Sequence, residues 1–164
     1  MYVMIRRTGL VGSPDEVVQR TRDHIVPLVQ GRPGFLSYCG FVTENGDAAY
    51  SISIFDDRAT AMDAHQRVRQ YIDANMRALM PAEPEVTAGE TVFHELAQPQ
   101  EQRRDSQKPL FVVIRIYSGL PGQTETMHSL VSQHTLPAIM NAPGFRGFYT
   151  FRDEEDSNRA ISIT

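Results

Sequence analysis

The sequence predicts an α+β fold of antiparallel sheets, written twice in one chain. Two observations carry that prediction. HIVPLVQGRPGFLSYCGF at residues 24–41 returns as HTLPAIMNAPGFRGFYTF at residues 134–151, with His, Pro, the Pro-Gly-Phe triplet and the final Phe all displaced by 110. The match extends outwards: TGLVG answers SGLPG at 110, and Val3, Ile5 and Arg6 answer Val112, Ile114 and Arg115 at 109, as Ile52-Ser53-Ile54 answers Ile161-Ser162-Ile163. Single-residue slips between blocks are what loop insertions leave behind, so a folded unit is repeated and not a low-complexity tract. The second observation is the order of the apolar periods. Period-2 and period-3.6 stretches follow one another as strand, helix, strand, strand, helix, strand, the ferredoxin-like β-α-β-β-α-β arrangement.

Each element has a local reason. Residues 2–8 are β-branched and aromatic up to Gly9, with Val3 and Ile5 on one face and Tyr2, Met4 and Arg6 on the other, so a strand covered on both sides is expected. Ser13-Pro14-Asp15-Glu16 is a capping box with Pro in the first turn, followed by Val17, Thr21, Ile25 and Leu28 at helical spacing. Pro27 should kink the last turn or end the regular helix near His24. Residues 35–43 alternate as a strand, Asn45-Gly46 signals a two-residue hairpin, and residues 49–55 return as its partner. Asp56-Asp57 caps a helix whose buried stripe is Ala61, Ala64, Val68, Tyr71/Ile72, Met76 and Leu79, ended by Pro81 and Pro84. The closing strand is expected within residues 85–96, and best at 91–96. The domains expected are therefore residues 1–97, a polar linker at 98–108, and an incomplete second copy, β-α-β-β, at 109–164. That copy ends in mid-pattern at Ile-Ser-Ile-Thr, so either the gene product is longer or a partner chain covers the exposed face.

Composition narrows the function. With 164 residues, 41% hydrophobic and 22% charged, the chain is ordinary for a globular protein. A net charge of −4 with no basic cluster argues against nucleic acid as a partner. Lone Cys39 can form no internal disulfide, and the N-terminus lacks a secretory pattern, so a cytoplasmic location is expected. No apolar run approaches the ~20 residues of a membrane span.

Strand, helix with a late Pro, Pro-Gly-Phe, hairpin, and an acid-capped helix reading DRATAMDAH at residues 57–65 together resemble the antibiotic biosynthesis monooxygenase family of the dimeric α+β barrel superfamily. The resemblance covers residues 1–97 and, as a shortened copy, 109–164. It implies antiparallel sheets facing one another in an α+β barrel, formed by a homodimer or within the chain between the copies, with a pocket between sheet and helices or inside the barrel. It also implies a cofactor-independent monooxygenase acting on a small aromatic or quinol-type ligand, with no cofactor and no metal. The alternative is a non-catalytic ligand-binding or assembly module of the same fold. The chain has no Trp, on which the haem-degrading and polyketide-oxidising branches rely, so the haem-degrading reading is set aside.

Candidate site residues follow. His65 matches the family's Ala-His position and lies at the edge of the buried stripe, where it would be base or orienter, or else a half-buried His bonded to a carbonyl. Arg6, and Arg115 in the second copy, sit among apolar neighbours on a strand face and could hold an anionic ligand, snorkel at a sheet end, or pair across the copies. Tyr38, Tyr50 and Tyr149 are candidate pocket walls, or core tyrosines with rim hydroxyls. Repeated His24 and His134 read most simply as groups bonding carbonyls that Pro27 and Pro137 leave without donors. His94 and His128 have no supporting context, and Cys39 reads as an inert thiol.

Overall fold

The computed structural model describes residues 1–97, 110–119 and 122–164. The expected linker, together with Leu120 and Pro121 of the SGLPG match, lies outside the described residues. The chain divides into two compact units, Met1–Glu90 and Thr91–Thr164. Among the described residues no helix is long and apolar enough to cross a membrane.

In the first unit β1 (Tyr2–Gly9) is central, paired antiparallel with β3 (Ala48–Phe55) and with the start of β4 (Glu85–Leu96), while β2 (Phe35–Val42) pairs outside β3. As the alternation predicts, both faces of β1 are buried: Val3 and Ile5 on one side, Tyr2, Met4 and Arg6 on the other. Tyr2 and Met4 join Val17, Ile25, Val29, Phe55, Ala61, Ala64, Val68 and Met76 in the core between sheet and helices. α3 (Arg58–Asn75) is capped by Asp57, whose side chain accepts from Thr60 N at 2.8 Å. Its alanines at 61 and 64 are fully buried, so the helix lies close on the sheet. The helix stops at Asn75, earlier than Pro81, and continues only as turns.

The first helix is interrupted and not broken. α1 (Pro14–Arg20) passes into a π-helical turn at Thr21–Ile25 and then into α2 (Val26–Gln30). Pro27 is the second residue of α2, where it lacks an N–H for a carbonyl one turn back and its ring would crowd that carbonyl. A wider π turn just before it relieves the crowding at the place where a hydrogen bond is lost anyway. The second unit repeats the device: α4 (Gln123–Leu130), a π turn at Val131–Thr135 and α5 (Leu136–Met140), with Pro137 in the same place. The expected kink or helix end at Pro27 is thus a change of helical pitch. His24 lies in this turn and stacks on Tyr71, ring centroids 5.5 Å apart, and does not serve as the donor to freed carbonyls that was expected. Ser13 does cap α1, accepting from Glu16 N at 3.4 Å, but the Glu16 carboxylate turns to Arg20 (2.7 Å) in place of closing the box.

The hairpin after β2 also differs from expectation. Five residues, 43–47, connect the strands, and none of the non-glycine residues among them has positive φ, which excludes the type I′ turn that Asn45-Gly46 suggests. Gly46 N donates to Thr43 O at 2.9 Å with Gly46 at φ +72°, and Asp47 accepts from the Thr43 hydroxyl at 2.7 Å. The side-chain bond holds a longer loop that a two-residue turn would not need.

In the second unit β5 (Ile114–Ser118), β6 (Gly147–Arg152) and β7 (Arg159–Ile163) form a sheet in the order β6-β7-β5, and residues 91–96 of β4 pair with the outer edge of β6. The stretch expected to close the first sheet is therefore in the second unit, and residues 85–90 close the first. Leu110, Phe111, Ile116 and Leu130 of this unit are exposed. Pairing also corrects the repeat. Arg6 lies opposite Ser51 and Arg115 opposite Ser162, so with β1 and β5 matched at 109 their partner strands correspond at 111, and the Ile-Ser-Ile match at 109 is two residues out of register with them. Both sheets are antiparallel with helices beside them, the α+β class that the sequence predicts.

Candidate functional site

A cavity of about 320 Å³ opens in the first unit between the sheet and the helices. β1 brings Arg6, β2 brings Tyr38, β3 brings Tyr50 and Ser51, and α3 brings His65. The registers explain the convergence. Tyr38 lies opposite Ser53 and Arg6 opposite Ser51, so these side chains share the helix-facing side of three adjacent strands. On α3, His65 falls one turn after Ala61, one before Val68 and two before Ile72, so it belongs to the stripe that packs on that face.

At the inner end Arg6, only 7% exposed, donates from Nε to His65 Nδ1 at 2.9 Å and from Nη1 to Ser53 Oγ at 3.0 Å. No carboxylate of the described residues bonds to it. Burial lowers the guanidinium pKa to about 10, opposed by the nearby Tyr38. The same burial, with the charges of Arg6 and Arg69, pushes His65 down to about 4. His65 is therefore neutral at neutral pH, and because Nδ1 accepts from Arg6, the proton sits on Nε2. Tyr38 is pushed up by burial, against a hydrogen bond with Ser51 and the Arg6 charge, and stays a phenol. The inner end thus offers a cation, an imidazole N–H and a phenolic O–H, all donors.

Apolar groups make the walls. Val17, Ile25, Val68 and Ile72 line the cavity from the helices. Phe41 and Tyr50, directly opposite one another in the ladder, stack nearly parallel (5.2 Å, 4°) on the other side of the sheet, each one residue out of step with the helix-facing Tyr38 and Ser51. The mouth carries paired charges: Arg69 to Glu83 at 2.6 Å, and Arg77 to Asp73 at 3.0 Å and to Glu83 at 3.6 Å. Among the described residues no group of His, Cys, Asp and Glu is placed to hold a metal ion.

Of the six residues singled out as site candidates, Arg6, His65 and Tyr38 turn their side chains into this one cavity; Tyr50 borders it with its ring on the other side of the sheet. Arg115 does not; its Nη1 donates to Thr164 Oγ1 at 3.0 Å in the second unit. Tyr149 stacks with His94 at 5.8 Å, His128 meets Phe93 edge-on at 6.4 Å, and half-buried Cys39 has its thiol pKa raised by burial. Sequence reasoning missed Ser53 and Ser51. Their signal was present: two serines alternating with Ile in YSISIF, polar groups on one side of a strand expected to be covered.

No protein-family model matches the sequence, and no curated relative does. Among solved structures, a "putative monooxygenase" of Fusobacterium nucleatum subsp. nucleatum aligns with 99% of this chain and 73% of its own at 10% identity, with a TM-score of 0.74. One of the same name from Lactobacillus acidophilus aligns with 99% of this chain and 74% of its own, again at 10% identity, with a TM-score of 0.63. A structure named antibiotic biosynthesis monooxygenase aligns with 57% of this chain and 100% of its own at 17% identity, with a TM-score of 0.48. The fold is shared with the two bacterial proteins; the chemistry has to be argued from the cavity.

Proposed function

We propose that the first unit binds a small electron-rich aromatic, a phenol or quinol, as its anion in the Arg6 cavity, and acts there as a monooxygenase that needs no cofactor. The observation that carries this reading is the buried guanidinium bonded to no carboxylate of the described residues, held by His65 and Ser53 at the end of an apolar pocket. A buried cation of that kind is costly unless something anionic meets it. The names of the two proteins sharing the fold agree with it.

The chemistry balances within substrate and oxygen. The bound phenolate gives one electron to O₂; superoxide and the aromatic radical combine to form a C–O bond at a hydrogen-bearing ring carbon. Loss of water from that hydroperoxide leaves a second carbonyl, so one oxygen atom enters the quinone, the other leaves as water, and all four electrons come from the substrate. Arg6 holds the oxyanion, the N–H of His65 and the O–H of Tyr38 orient it, and the apolar wall of Val17, Ile25, Val68 and Ile72 keeps the ring out of water. Of the two roles considered for His65, this geometry supports orienting over proton removal.

Oxygen uptake by the purified chain with a panel of naphthols and quinols tests the proposal. One O₂ per substrate, with a quinone product and a loss of about 100-fold in Arg6→Met, is expected. Ligand binding with no uptake across the panel would overturn it in favour of a binding module.

A further inference from the structure

We infer that the Arg6 cavity contains no proton acceptor among the described residues, and so takes planar organic acids that are already anions in solution: acidic hydroxyquinones, vinylogous acids or aromatic carboxylates, in preference to simple phenols. This rests on the reading of the cavity as a ligand site and states which ligands it takes.

Every titratable group facing the cavity is accounted for. On β1, Arg6 is a cation. On α3, the one basic nitrogen of His65 that could accept a proton, Nδ1, already accepts from Arg6 Nε at 2.9 Å, which leaves Nε2–H to meet a ligand. From β2 Tyr38 presents a phenol and from β3 Ser51 a hydroxyl, while the Tyr50 ring lies on the other side of the sheet, opposite Arg7 and Phe41. The π turn adds Arg22, another cation. The lining carboxylates are Asp73 and Glu83; both are at the mouth and tied to arginines, Asp73 to Arg77 and Glu83 to Arg69 and Arg77. A neutral phenol entering this cavity would therefore have nowhere to leave its proton. An anion would find donors only, and a second acceptor oxygen on the same edge, as in a hydroxyquinone, could take the remaining donor.

Calorimetry with two probes decides it: 2-hydroxy-1,4-naphthoquinone, ionised at neutral pH, and 1-naphthol, which like other simple phenols ionises well above it, near pH 10 for a tyrosine. The hydroxyquinone should bind at pH 7 with the same heat in buffers of different ionisation enthalpy, meaning that no proton moves. Naphthol affinity should rise about tenfold per pH unit toward its own pKa. Arg6→Met should weaken the hydroxyquinone at least tenfold and leave uncharged 1,4-naphthoquinone unchanged, with partial rescue by Arg6→Lys. Tight naphthol binding at pH 7 with a proton released to buffer would overturn the inference, and so would failure of the hydroxyquinone to bind. Oxygen uptake can be absent while this pattern holds, which sinks the monooxygenase reading alone. Uptake with naphthol at a rate flat between about pH 6 and 8 sinks this inference alone.

Discussion

Replacing Arg6 by Met should leave the fold about as stable as before, an uncommon expectation for a buried arginine with two hydrogen bonds. The lowering of its pKa from 12.5 to about 10 corresponds to about 3.4 kcal/mol disfavouring the charged form inside the protein, and with 7% of the residue exposed little solvent screening reduces it. Since arginine is charged in both states below about pH 10, that cost is present throughout the working range. Against it stand the bonds to His65 and Ser53, each roughly 1.5 kcal/mol as charge-assisted bonds. Met keeps most of the apolar stem. The two contributions nearly cancel, so urea unfolding of Arg6→Met should give a stability within about 1 kcal/mol of the parent with an unchanged m value. Breaking a buried ion pair costs about 3–5 kcal/mol instead. A loss of that size would refute the reasoning, since it would make Arg6 a structural group whose partner is inside the protein.

Three further outcomes are expected. His65 has a folded pKa of about 4 against 6.5, so the unfolded chain takes up a proton between those values that the folded chain does not; stability should fall as pH drops from about 6.5 to 4. Discounted for the ring's partial exposure, the loss is about 1–2 kcal/mol, read as the difference between the pH profiles of the parent and His65→Gln; identical profiles would contradict it. Gly34 and Gly144 both have positive φ (+66° and +85°), but a Cβ at Gly34 would stand 3.3 Å from Asp56 Cβ while at Gly144 it meets nothing within 4 Å. Gly34→Ala should therefore destabilise by more than the ~1 kcal/mol expected of Gly144→Ala, and equal thermal shifts would count against the geometry. Asp57→Ala removes the cap of α3 and should cost about 1 kcal/mol, with Asp57→Asn recovering most of it in the same melts.

The strands, their order and the site face were legible because burial on both sides of β1 and β3 makes polar residues there conspicuous. Arg6 stood out against Tyr2 and Met4 for that reason, and His65 because it sits among Ala61, Val68 and Ile72. The third-strand match was misread for a reason in the same physics. A slip of two residues in an alternating strand preserves which side chain faces which way, so Ile-Ser-Ile aligns equally well two residues out; the hydrogen-bonded register alone separates the choices. Arg115 looked like a partner of Arg6 because strand position repeats, but the helix that carries His65 has no counterpart among the described residues of the second unit. The hairpin was misjudged because a Thr43–Asp47 side-chain bond decided the loop length, and the tautomer of His65 could not be read at all, since it depends on a contact between residues 59 apart in sequence.

The π turn at Thr21–Ile25 lends three residues to the cavity lining, Thr21, Arg22 and Ile25, and Val26 just after it lends a fourth. One wall of the site is therefore the stretch of helix where the backbone ladder changes pitch and, at Pro27, lacks a rung. Amide exchange there should be faster than in the rigid strands opposite, and such a wall can yield by one turn without melting the helix on either side. The cavity is then built from two materials, a stiff floor that fixes the charges and a compliant side that lets a flat molecule pass, and a bound anion should be felt first as slowed exchange across residues 22–29.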